Sequence, residues 1–161
     1  MSSPRWQPAA TLLLALFGLG VSVYLTITHF DKVALVCSDS GTINCAKVTT
    51  SPQSVIFGIP VAMLGLAYFV PMVLLCLPAA WRAADRRVHL ARLAFAIIGV
   101  GMILYLLIAE LFIIKAICLW CSSVHVVTFL LFVIIVTATP LVLASDHALV
   151  DGAYGTSGGE N

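Results

Sequence analysis

Apolar residues in this chain gather into runs too long for strands or for ordinary core helices. A membrane-spanning helix needs about 20 mostly apolar residues. Four stretches meet that length, at about 9–28, 55–77, 93–114 and 119–142. The second holds Pro60 and Pro71, which a membrane helix tolerates because neighbours re-satisfy the freed backbone groups. The fourth run extends from Lys115 to Asp146, too far for one simple span. Its opening residues are therefore expected at an interface. Arg5 ahead of the run from Ala9 to Thr28 raises the question of a signal peptide. The apolar part of a signal is about 7–15 residues long, so this longer run reads as a retained first span.

The connections are unequal. Residues His29 to Ser54 form a polar loop with Gly41 and Pro52, a composition that predicts turns or a short helix. The second connection, Pro78 to Arg92, is short and basic. The third, around Lys115, is hardly a loop. Residues 145–161 are polar and Gly-rich without periodicity, which predicts a disordered tail. No internal repeat is visible. The expectation is one membrane domain over 1–144, an all-α four-helix bundle with an outward loop carrying a short helix.

Composition strengthens the membrane reading. The 161 residues are 61% hydrophobic and 9% charged, with a mean hydropathy of +1.11. Soluble domains run at about 45–50% apolar and about 25% charged. The net charge of +1, with no basic patch interleaved with aromatics, gives no sign of nucleic-acid binding. The basic residues set an orientation. Arg5, Arg82, Arg86, Arg87 and Arg92 fall on one side, and Lys32, Lys47 and Lys115 on the other. Both termini are expected in the cytoplasm, and the first and third connections outside. Trp6 and Trp81 at one interface, and Trp120 at the other, suit an aromatic belt.

That topology sorts the cysteines. Cys37 and Cys45 lie in the first loop, and Cys118 and Cys121 open the fourth span as Cys-Leu-Trp-Cys. All four face the side where disulfides persist. Cys76 alone lies near the inner end of the second span, where a cysteine behaves as a small hydrophobe. A Cys-x-x-Cys at a helix start favours a thiolate and therefore thiol–disulfide exchange. Two other readings compete. Cys37 and Cys45 can form a structural staple, though its ring of about nine residues gains only about 2–3 kcal/mol. The four thiols can also hold structural zinc, although the first loop has no ordinary zinc-ribbon knuckle.

Other polar residues invite roles. Cys118, Cys121 and His125 recur at i, i+3 and i+7, one helix stripe. His125 is either a hydrogen-bond donor to a substrate or a buried histidine bonded to a neighbouring helix. Glu110, at the outer end of the third span, is either a proton relay or an interfacial partner of Lys115; the ion pair is the preferred reading. Tyr24 and Tyr105 read as packing or belt residues.

The ordered set Cys37-Ser-Asp-Ser-Gly-Thr-Ile-Asn-Cys45, Ser51, Phe57-Gly58-Ile59-Pro60 and Cys118-Leu-Trp-Cys121 resembles the vitamin K epoxide reductase family over nearly the whole chain. The resemblance implies a four-helix bundle around a quinone pocket near the outer interface. It implies that Cys118 and Cys121 are the active-site pair, with Cys121 nearer the quinone. It implies that Cys37 and Cys45 shuttle electrons from a thioredoxin-fold partner. Ser51 matches a serine or threonine near the family's active site, or caps a turn. Phe57 lines the quinone ring, or packs. His125 stands where the animal members carry a tyrosine.

The function so implied is a quinone-linked thiol-disulfide oxidoreductase of the bacterial plasma membrane. It re-oxidises a separate thioredoxin-fold thiol oxidase and passes the electrons to menaquinone or ubiquinone, with no metal. Some relatives continue into a fused thioredoxin-like domain. This chain ends after four spans, so its partner is expected to be a separate protein. Reduction of vitamin K epoxide itself, a non-catalytic four-span scaffold and a metal-binding module are the alternatives.

Overall fold

The computed structural model describes residues 6–31, 42–83 and 85–155, and of residues 140–155 the backbone alone. Cys37 lies outside the described residues. Helix α1 spans Trp6–Phe30. A short helix α2, Cys45–Thr49, follows, then a single 3-10 turn at Pro52–Ser54. Strands β1, Val55–Ile56, and β2, Ile59–Pro60, form a two-residue hairpin. Helix α3 spans Val61–Cys76, α4 Pro78–Trp81 and α5 Arg86–Ile108. A π turn covers Ala109–Ile114, and α6 runs from Leu119 to Gly155.

Three helical stretches are long and apolar enough to cross a membrane: Trp6–Phe30, Arg86–Ile114 and Leu119–Thr139. Helix α3 is apolar but shorter. The four pack in a closed ring, α1 against α3 and α6, and α5 against α3 and α6. The sequence expectation of a second span beginning near 55 is corrected here. Residues 55–60 form the hairpin, whose turn residues Phe57 and Gly58 have φ of 52° and 81°. Two consecutive positive φ values suit the twist of a tight hairpin, and the Phe57 conformation costs about 1–2 kcal/mol. At the other end, the backbone of 145–155 is helical, where the composition predicts a disordered tail.

Small residues bring the helices together, as packing within lipid requires. The buried positions of α1, Thr11, Ala15, Gly18, Ser22 and Leu25, form one stripe. Gly18 leaves the space taken by the ring of Phe69, and a Cβ on Gly65 would lie 2.8 Å from Ser22 Oγ. The threonines of α1 return their hydroxyls to the helix, Thr11 to Gln7 O at 2.8 Å and Thr26 to Ser22 O at 2.7 Å, so they bring no unsatisfied donors into the bundle.

The corner between α3 and α5 is tied by a buried cation. Leu77 precedes Pro78 and is extended, which ends α3 as the residue before proline prefers. The Asp85 carboxylate caps α5 by accepting from the Arg87 N–H at 2.8 Å. Arg92, 2% exposed, lies with its guanidinium 3.9 Å from the centre of the Trp81 ring. Its Nε donates to Leu75 O at 2.9 Å. His89 Nε2 donates to Ala83 O at 3.0 Å, which leaves Nδ1 to accept from Arg92 Nη1 at 3.4 Å.

Candidate functional site

The opposite end of the ring is closed by the approach to α6. The π turn stops at Lys115, whose left-handed backbone (φ 53°, ψ 43°) reverses the chain. Both Lys115 N–H and Ala116 N–H donate to the Glu110 carbonyl. Ile117 then pairs with Ile43 in an isolated parallel bridge. Ile117 N–H donates to Thr42 O at 3.0 Å, and Asn44 N–H donates to Ile117 O at 3.1 Å. The end of the first loop is thus sewn to the residue before Cys118. Asn44 caps α2, accepting from the Lys47 N–H at 2.8 Å.

This seam brings together residues far apart in the chain. Cys45, Val48, Ile114, Ala116 and Cys118 form one buried cluster, with Trp120 and Cys121 packed against it. Cys45 and Cys118 are both fully buried. Cys45 is disulfide-bonded, whereas Cys76, Cys118 and Cys121 carry free thiols. Cys76 sits at the far end of α3, in the other core cluster.

Cys118 precedes the first residue of α6, so the unpaired N–H groups of the helix start surround its sulfur. The Cys121 N–H points at Cys118 Sγ from 3.4 Å. The Cys121 thiol, hydrogen-bonded to Cys118, holds the Cys118 thiol below its ordinary value; the backbone N–H groups of Cys121 and Trp120 reinforce this, against burial and the nearby Glu110. These contacts favour the thiolate at Cys118 over Cys121, with the Cys121 thiol as the donor between them.

Cys121 faces the other way, into a cavity of about 290 Å³ between the four helices. That is the low end of the range for small-molecule pockets. The lining is almost wholly apolar, and its polar members are Ser22, Tyr68, Cys121, His125 and Thr128. Two of their atoms, Tyr68 Oη and His125 Nδ1, are buried with no hydrogen-bond partner. A buried unsatisfied polar group costs about 1–3 kcal/mol, so both atoms are placed to take a ligand's polar groups. Tyr68 lies against Gly99, where any Cβ would collide with its Oη.

Of the residues singled out in the sequence, the structure brings Cys45, Cys118 and Cys121 together, and it lines the cavity with Cys121 and His125. Ser51 and Phe57 are not among the lining residues. The Ser51 hydroxyl donates to Val48 O at 2.8 Å, closing α2, as its turn-capping alternative has it. Phe57 is 98% exposed at the hairpin tip. Glu110 is buried and its carboxylate accepts from the Cys118 N–H. The expected ion pair with Lys115 is not formed, and Lys115 is exposed. Tyr68 is a lining residue that the sequence reading does not single out. The available signal is general: a tyrosine hydroxyl inside a span needs a partner. The sequence model of the vitamin K epoxide reductase family matches residues 9–136, which takes in every residue of this site.

Proposed function

Because the chain belongs to the vitamin K epoxide reductase family, a family of membrane oxidoreductases, we propose that it carries electrons from a thioredoxin-fold thiol oxidase to a membrane quinone. The observation that carries this reading is the double environment of the Cys-x-x-Cys pair. Cys118 adjoins the cysteine of the first loop, and Cys121 opens onto an apolar cavity. One sulfur meets a disulfide and the other meets a lipid-soluble acceptor.

A quinone fits the cavity by its chemistry. Its ring is flat and apolar, and its two carbonyl oxygens accept hydrogen bonds. Tyr68 Oη and His125 Nδ1, the latter in its protonated tautomer, are the two unpartnered groups available to them. Such donors stabilise the negative charge that develops on the oxygens as electrons arrive. The apolar lining excludes water from the reacting sulfur.

The relay runs as follows. The partner's thiolate attacks the Cys37–Cys45 disulfide and leaves the loop pair reduced. Cys45 thiolate then attacks Cys118 Sγ, the Cys118–Cys121 bond breaks, and Cys121 leaves as the thiol facing the cavity. Cys37 resolves the Cys45–Cys118 mixed disulfide and re-forms the loop bond, releasing Cys118. When Cys118 and Cys121 rejoin, two electrons pass to the quinone. The cluster of basic residues Arg82, Arg86, Arg87 and Arg92 supports an orientation with their connection and both termini in the cytoplasm and the cysteine site at the outer face of a bacterial plasma membrane.

The test is anaerobic quinone reduction by purified protein with a small dithiol as donor. Wild-type protein is expected to turn over. Cys121→Ala is expected to abolish activity, and Cys37→Ala to retain most of it, because a small dithiol bypasses the loop. With the thioredoxin-fold partner as donor, both variants are expected to fail. Absence of quinone reduction by the wild type would overturn the reading. Equal loss in both variants with the small dithiol would remove the loop pair from the path.

A further inference from the structure

Glu110 is 4% exposed within the stretch Arg86–Ile114 that is apolar enough to cross a membrane. An ionisable group there is costly and is retained with a role or a partner. Among the described residues no basic side chain pairs with it. Its carboxylate instead accepts from the N–H of Cys118, and it acts electrostatically on Cys118 across that contact. It stands in the π turn Ala109–Ile114. Turns of this kind, which widen a helix by one residue, often occur at functional sites.

The sulfur pair has a proton to place. Cys118 is fully buried, and the Cys121 N–H points at its sulfur from 3.4 Å, a contact that favours the thiolate. With Cys118 ionised, reduction of the disulfide by a dithiol leaves one proton without a sulfur to hold it. We infer that Glu110 is the proton-storing residue of the Cys118–Cys121 pair. The inference rests on the quinone reading only for the identity of the electron acceptor.

The two half-reactions balance on this assignment. In the first, a donor dithiol loses two electrons and two protons and becomes a disulfide, and the Cys118–Cys121 bond breaks. Cys121 Sγ takes one proton, the Glu110 carboxylate takes the other, and Cys118 remains a thiolate. In the second, Cys118 and Cys121 rejoin and their two electrons reduce the quinone. The Cys121 proton and the Glu110 proton, moving by way of the adjoining sulfurs, go to the two quinone oxygens. Glu110 returns to the carboxylate. Neither half-reaction draws a proton from bulk water.

Among the described residues, the other ionisable groups near this end include Tyr24, stacked on Trp120, and the exposed Tyr105. Cys121 belongs to the pair. Helix α2, packed against the π turn, brings the disulfide-bonded Cys45 and the exposed Lys47. Lys115 is exposed, and His125 faces the cavity from α6. Glu110 is the buried carboxyl group touching Cys118.

The experiment compares wild type, Glu110→Gln and Glu110→Asp in the purified full chain. Glutamine keeps a carbonyl oxygen for the Cys118 N–H but cannot carry a proton. With a soluble quinone and dithiothreitol, Glu110→Gln is expected to lower kcat tenfold or more, leave the quinone KM within twofold, and lose one ionisation from the pH profile of kcat. Glu110→Asp is expected to keep that ionisation, and it remains informative if the glutamine variant does not fold. Reduction of the Cys118–Cys121 disulfide by dithiothreitol, followed by thiol mass-tagging without quinone, is expected to slow tenfold in Glu110→Gln. Wild-type rates for Glu110→Gln in both assays, or an aspartate variant whose profile lacks the ionisation, would overturn the storage role. A slowed mass-tagging step in a protein that reduces no quinone would instead keep Glu110 and reject the quinone.

Discussion

Cys45 and Cys118 are both fully buried and share one cluster, although one begins a five-residue helix after the first loop and the other precedes the last long helix. The contact is arranged by backbone bonds between residues 42–44 and Ile117. In the proposed relay, this is the juncture at which electrons cross from the loop to the Cys-x-x-Cys pair.

That juncture can be trapped. Thiol exchange passes through a mixed disulfide, which persists when the resolving thiols are absent. A Cys37→Ala, Cys121→Ala double variant removes the thiol on either side. It is expected to form a Cys45–Cys118 bridge under oxidising conditions, detected by mass spectrometry after cleavage between them. A disulfide requires Cα atoms within about 7 Å, so the bridge also reports loop closure. Two free thiols in that variant would reject the proposed order of transfer.

Tyr68 supplies a prediction about the cavity. Its unpartnered hydroxyl is expected to donate to a quinone carbonyl. A hydrogen bond contributes about 0.5–1.5 kcal/mol net, so Tyr68→Phe is expected to raise the quinone KM about two- to twelvefold. The dithiol-dependent reduction of the Cys118–Cys121 disulfide should not change. Gly99→Ala is expected to act more strongly, because its Cβ would lie 2.7 Å from Tyr68 Cζ and 2.8 Å from Thr128 Cγ2. Steady-state kinetics with varied quinone give the answer, and an unchanged KM in Tyr68→Phe would remove the hydroxyl from the binding site.

Much of this architecture is legible in the hydropathy pattern, and the failures have physical causes. The first, third and fourth runs coincide with α1, the stretch Arg86–Ile114 and the start of α6. The second starts late because Val55, Ile56 and Ile59 are as apolar in a hairpin as in a helix, and short apolar runs do not distinguish the two. The signal for the turn is Gly58 after Phe57, which is weak alone. His125 is legible because it shares a stripe with Cys121. Tyr68 is not, since its role depends on which face of α3 meets α5. Glu110 is legible as a buried charge. Its partner is not, because the π turn that brings its carboxylate to Cys118 and leaves Lys115 exposed has no local sequence mark.

The thiolate character of Cys118 gives a prediction with a definite sign. Its value is lowered chiefly by the Cys121 thiol, so the thiolate is present at and above neutral pH to a greater degree than in an ordinary cysteine. It is lost as pH falls through the lowered value. In Cys121→Ala the main hydrogen bond disappears, and the Cys118 titration is expected to move upward. Thiolate absorbance of the reduced protein, measured in a Cys76→Ser background, follows it. A Cys118 midpoint that is unmoved or lower in the variant would assign the thiolate to another cause.

The backbone seam between Ile43 and Ile117 has a kinetic meaning. It holds Cys45 at the mouth of α6 through main-chain bonds, whose formation does not depend on the oxidation state of any sulfur. In the proposed relay, opening the loop disulfide therefore leaves Cys45, the attacking thiol of that scheme, tethered beside Cys118. The exchange at Cys118 becomes an intramolecular event, governed by a high effective concentration rather than by diffusional search. On the proposed relay its rate is then set by the angle and charge of the reacting sulfurs, and encounter with the proposed thioredoxin-fold partner is left as the step that responds to protein concentration.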